Sequence, residues 1–197
     1  MVKLAFNSFD SWALWRIPTE NLNEKTPKER EQAFGNSYQP NMFPTDQLSD
    51  NLEAKLKNTQ YVLVGMNPGN GAKNQSQDEL FLNFHGAKKS MDYRLAAATY
   101  NTDLWGAFMS DLSHTIESDS KKVKLSKEDV NNFEAHLDEL GIPNDATLVA
   151  LGGTVFKALQ DFSNHPVAHM YHYSNSNNGH WTAEVARKQV LDITQNN

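Results

Sequence analysis

The 197-residue chain contains no cysteine. That absence excludes disulfides, a thiolate nucleophile, and zinc or iron–sulfur centres held by cysteine. Long apolar runs are missing too, so no segment offers the roughly 20 apolar residues of a membrane-crossing helix. The opening MVKLAFNSFDSW mixes aromatics with polar groups and lacks the unbroken apolar stretch of a secretory signal. These absences predict a cytoplasmic protein. Positive charge is also scarce: 18 Lys and Arg face 24 Asp and Glu, for a net charge of −6. Nucleic-acid affinity rests heavily on phosphate neutralisation, which that balance opposes. A local basic patch can still supply it. Lys88, Lys89 and Arg94 form one candidate patch and Lys121, Lys122, Lys124 and Lys127 another; both also read as solvated surface.

What is present is an ordinary globular balance, 39% hydrophobic and 21% charged, enough for one domain with one substantial core. No internal repeat is visible. Residues 1–48 read as an irregular lead-in, with Phe6, Phe9, Trp12 and Trp15 ahead of a proline-punctuated polar stretch. The charged run from Glu24 to Gln32 fits a short exposed helix. Ser49 or Asp50 can cap another, reaching Lys57. From Tyr61, YVLVGM is short, apolar and β-branched, as expected of a strand buried on both faces. Residues 91–100 pattern as a helix, and 104–112 fit either class. Ser126 and Asp129 resemble a capping box ahead of a helix carrying Phe133, Leu137 and Leu140, which Gly141 and Pro143 end. ATLVALGG is a second buried strand, followed by a helix from Thr154 to Phe162. VAHMYHYS alternates as a third strand, and a last helix covers Thr182 to Ile193.

Strands alternating with helices predict an α/β sheet with crossover connections. Ligands of such sheets bind outside the carboxyl ends of the strands. Three of those ends are polar or glycine-rich: Asn67-Pro68-Gly69, Gly152-Gly153-Thr154 and His172-Tyr173-Ser174-Asn175. That edge is the predicted site. Its glycines allow close backbone approach to a ligand, and Asn67 offers an uncharged amide. The same residues also make a plain strand-to-loop turn. Phe81 and Phe84 stand at helical spacing, which suits a core face as well as a stacking surface. His165, His169, His172 and His180 raise a metal-site reading. Strand alternation separates His169 from His172, however, and no acidic residue lies within the cluster, so no metal is expected.

Gly65-Met66-Asn67-Pro68-Gly69 resembles GINPG, the first active-site motif of the mismatch-specific and thymine-DNA branch of the uracil-DNA glycosylase superfamily. Phe84-His85-Gly86, with Arg94 downstream, is similar to the region in which that branch carries a base-stacking phenylalanine. Trp105 to Leu112 stands where the superfamily places a strand with a uracil-reading side chain, here Asp111 in place of the usual amide. LVALGGTVFKAL is similar to a later strand–glycine–helix unit, and His172-Tyr173-Ser174-Asn175 stands where the second motif, His-Pro-Ser, lies. The resemblance covers residues 58–190, with its motifs in order and residues 1–57 outside it. There are departures. Tyrosine follows His172, the SNSNNG segment at 174–179 has no large apolar wedge, and the first motif carries no aspartate.

The resemblance implies a three-layer α/β/α fold around a short, mainly parallel sheet. It implies hydrolysis of the N-glycosidic bond of uracil or a related damaged base, with DNA as partner and no cofactor. Asn67 would position the attacking water, and His172 would donate to the base oxygen as negative charge develops there. Phe84 would stack on an extruded base. Gly65, Met66, Pro68, Gly69, Asp111, Ser174 and Asn175 would line the substrate. Two alternatives stand beside it. One is a superfamily member without excision activity that binds nucleotide, nucleic acid or protein. The other is an unrelated small-molecule enzyme using the same strand edge.

Overall fold

The structure is a computed structural model that describes residues 4–71, 80–174 and 179–195. Five strands form one sheet: β1 (Ser11–Trp12), β2 (Tyr61–Gly65), β3 (Phe108–Asp111), β4 (Thr147–Leu151) and β5 (Val167–Met170). Their order across the sheet is β1-β3-β2-β4-β5; β1 runs antiparallel to β3 and every other pairing is parallel. Among the described residues six α-helices accompany them: α1 (Pro27–Ser37), α2 (Leu52–Lys57), α3 (Tyr93–Thr99), α4 (Lys127–Leu140), α5 (Gly153–Phe162) and α6 (Ala183–Gln195). The architecture is three-layer α/β/α, as expected.

Period-two alternation along the strands divides the core between two faces. Val62, Val64, Phe108, Leu148 and Ala150 pack with Val130, Phe133 and Leu137 of α4 and Val155 and Leu159 of α5. Their neighbours Leu63, Met109, Val149 and Leu151 pack with Phe34 of α1, Leu95 of α3 and Ala186 and Val190 of α6. Both faces of the central strands are therefore buried, which explains their near-continuous apolar sequence.

The first 48 residues do more than lead in. Trp12 and Leu14 enter one core cluster while Ala13 and Trp15 enter the other. This is the alternation of a strand too short to stand out from its polar flanks. The charged run after Glu24 does fold as a helix, but α1 extends to Ser37 and buries Ala33 and Phe34. Thr26 and Glu29 start it with a reciprocal capping box, and Pro27 takes the first turn, where its missing N–H costs nothing. The expected Ser126–Asp129 capping box is present, and Gly141 closes α4 in the left-handed region. Phe81 and Phe84 are not helical. Both sit at φ 69°, in an irregular turn. Among the described residues no helix is long and apolar enough to cross a membrane.

Candidate active site at the carboxyl edge of the sheet

The chain leaves β2 for β3 on one side and later returns to β4 on the other. The sheet therefore changes winding direction between the carboxyl ends of β2 and β4, the place where open α/β sheets leave a crevice for ligands. Gly65 ends β2 there and Met66 to Gly69 follow it, and Gly152-Gly153 follows β4.

The turn after β2 is fixed by the segment after β3. Ser113 N–H donates to the Met66 carbonyl at 2.9 Å, and Glu117 N–H to the Pro68 carbonyl at 3.1 Å. Asn67 is half-buried between them. Its Nδ2 donates to the carbonyls of Glu117 (2.7 Å), Thr115 (2.8 Å) and Pro68 (3.0 Å). With the amide nitrogen committed to backbone, Oδ1 is the atom left to accept from a ligand or water. Pro68 is buried, Met66 half-buried and Gly69 exposed beside Ser118.

Gly65 is where the next groups meet. A Cβ there would fall 2.7 Å from Cε1 of Phe84 and would collide with Oδ1 of Asp111. Only glycine lets ring and carboxyl approach the backbone so closely. Asp111 is 3% exposed, and its Oδ2 accepts from Asn83 Nδ2 at 2.9 Å. Burial pushes its carboxyl up to about 7, against the pull of the Asn83 hydrogen bond. Asn83 also donates to the Phe9 carbonyl at 2.7 Å, which ties the amino-terminal segment to the site.

His172 lies just beyond β5, which ends at Met170 rather than continuing through the expected HYS. Alternation ends with the strand. Tyr173 turns inward and is 6% exposed, with the His172 ring stacked on it at 4.4 Å. Gly152 sits at φ 103°, a conformation that favours glycine, and packs beside His172: a Cβ there would stand in ordinary contact with that of His172 at 3.5 Å. Ser174 N–H donates to His172 Nδ1 at 3.1 Å. Burial pushes the imidazole down to about 4. The ring is therefore neutral at pH 7, and a proton-accepting Nδ1 leaves its hydrogen on Nε2. Asn175 lies outside the described residues, as does most of the 174–179 segment.

Arg94 does not belong to a surface basic patch with Lys88 and Lys89. Its side chain is 15% exposed and its Nε lies 3.4 Å from Oε1 of Glu31 in α1. Its Nη1 donates to the Tyr173 carbonyl at 3.3 Å. Trp181 Nε1 donates to the other Glu31 oxygen at 3.2 Å. Together these contacts anchor the backbone that carries His172.

The structure thus packs Gly65, Phe84 and Asp111 against one another. It holds Asn67 on the β3 side of the same edge and His172 with Ser174 on the β5 side. Asn83 and Glu31 are the site residues that the sequence did not single out. Asn83 had the signal of standing next to Phe84; Glu31 had none, being brought in from α1 by the fold. The histidines disperse: His165 Nδ1 lies 3.0 Å from the Ala146 carbonyl, and His169 and His180 pack on Tyr171. Among the described residues no group of three His, Asp or Glu side chains gathers as metal ligands would. No protein-family profile, curated protein or solved structure matches the chain.

Proposed function

We propose that the protein hydrolyses the N-glycosidic bond of uracil or a related damaged base in DNA, by a mechanism without metal or cofactor. The observation that carries the reading is a hydrogen bond: Ser174 N–H donates to His172 Nδ1 at 3.1 Å, which puts the ring hydrogen of an imidazole kept neutral by burial on Nε2. As the glycosidic bond breaks, negative charge gathers on the departing base, and a fixed neutral donor stabilises it where it develops. Asn67, its Nδ2 held by three carbonyls, accepts from a water through Oδ1 and aims it at the sugar carbon. Phe84 supplies the ring against which an extruded base stacks. Lys88 and Lys89, close to Phe84 in sequence, and Lys121, Lys122 and Lys124, which follow the segment holding Asn67, are exposed and supply phosphate contacts.

One observation favours the non-catalytic alternative. The Phe84 ring and Asp111 carboxyl already crowd the space over Gly65, and a carboxyl stands where the resemblance calls for an amide. Release of free base from uracil-containing oligonucleotides decides between the two readings.

A further inference from the structure

A concavity lies at the edge of the sheet opposite the proposed site, where β2 and β3 begin. It is a groove of about 590 Å³, within the range of small-molecule sites. Asn58, Thr59, Gln60, Thr102 and Trp105 contribute to its walls, and two charged residues line it, Lys55 and Asp103.

Lys55 is the unusual one. It is half-buried, with its Nζ 5.0 Å from the centroid of the Trp12 ring, and burial lowers its basicity. Gly106, at φ 78°, brings bare backbone close to the ammonium: a Cβ there would stand 3.4 Å from Nζ. Among the described residues no carboxylate or other hydrogen-bond acceptor reaches this Nζ, and Asp103 on the same groove does not pair with it. The α2 lysine that does pair is its neighbour Lys57, on solvent-exposed Glu53 at 2.7 Å. A partly desolvated cation without a counter-charge is costly, and an indole face offsets only part of that cost.

We infer that this groove binds a small molecule through one carboxylate, which Lys55 receives while the amide and hydroxyl side chains around it bond the remainder. A phosphate suits the groove less well. Phosphate sites gather several backbone N–H donors. Here the N–H groups of Asn58, Thr59, Trp105, Gly106 and Ala107 are all spent on carbonyls of the fold. A single lysine beside an acidic residue matches one negative charge, not two. The site is independent of the proposed glycosidic chemistry, being at the other end of the strands.

The test is an NMR titration of the full-length protein with sodium acetate, and separately with inorganic phosphate, at constant ionic strength. The signals followed are the Lys55 side chain, the Gly106 amide and the Trp105 indole N–H. Saturable shifts with acetate, together with a rise in the Lys55 titration midpoint, are expected, and Lys55→Gln and Lys55→Met should abolish them. Absence of saturation, unchanged acetate shifts in both variants, or tighter binding of phosphate would overturn the inference. If neither variant folds, the movement of the Lys55 midpoint in the unmodified protein decides alone.

Discussion

The ring of Phe84 rests on Gly65 so closely that a β-carbon at residue 65 would stand 2.7 Å from Cε1 and 2.9 Å from Cζ. Gly65→Ala therefore forces the ring, and the Asp111 carboxyl beside it, out of place. Overpacking of this kind costs about 1–3 kcal/mol, so urea unfolding should register a loss of that size. If Phe84 is the stacking surface proposed for it, base excision should fall by more than the stability loss explains.

Asp111 links the site to pH. Its folded value is raised from 3.8 to about 7 by burial. Between those values the native state keeps a proton that the unfolded chain has released, so this group's contribution to stability falls as pH rises through the window. Above about 7 the native state carries a buried charge that, among the described residues, only Asn83 bonds. Asp111→Asn removes that charge and fits the same space. Denaturation across pH 4 to 8 should show the variant gaining on the parent as pH rises, by up to a few kcal/mol at the alkaline end. A constant difference across the range would show that Asp111 does not titrate as described.

Arg94 acts through others. Its ion pair with Glu31 and its hydrogen bond to the Tyr173 carbonyl fix the backbone on which Ser174 N–H meets His172 Nδ1. Arg94→Gln should let that segment relax, so that the His172 imidazole takes up a proton nearer its ordinary value and both ring tautomers appear in nitrogen NMR spectra. Turnover should fall about tenfold or more, since small misplacements of a catalytic group are expensive. Arg94→Lys, which keeps the charge on Glu31, should recover part of the loss. A purely structural role would lower stability and leave the tautomer unchanged.

The layered fold was legible in the sequence because β2 and β4 are apolar on both faces and helical patterns separate them. Trp12 to Trp15 alternate as cleanly, yet β1 is only two residues long and gains its identity from pairing with β3. At the site, Gly65, Asn67, Phe84, Asp111 and His172 could be picked out because each ends a strand or sits in a motif-like stretch. The groups that orient them could not. Glu31 stands 63 residues before Arg94 in the chain, and two of the three carbonyls that hold Asn67, those of Thr115 and Glu117, come from a loop with no distinctive composition. Arg94 was misplaced on the surface because a charged residue in a basic cluster gives no sign of a buried partner. The extent of β5 was overread for a related reason: alternation continues in the letters through Ser174, while the strand ends at Met170 and Tyr173 turns into the core.

The central claim is that His172 and Asn67 cooperate in breaking a glycosidic bond, and excision of uracil from single- and double-stranded oligonucleotides tests it most directly. The unmodified protein should release free uracil. Asn67→Ala and His172→Ala should each reduce the rate by about 10²–10³-fold, the usual cost of losing one preorganised transition-state contact. Release that survives both substitutions, or no release of any base by the unmodified protein, would contradict the account.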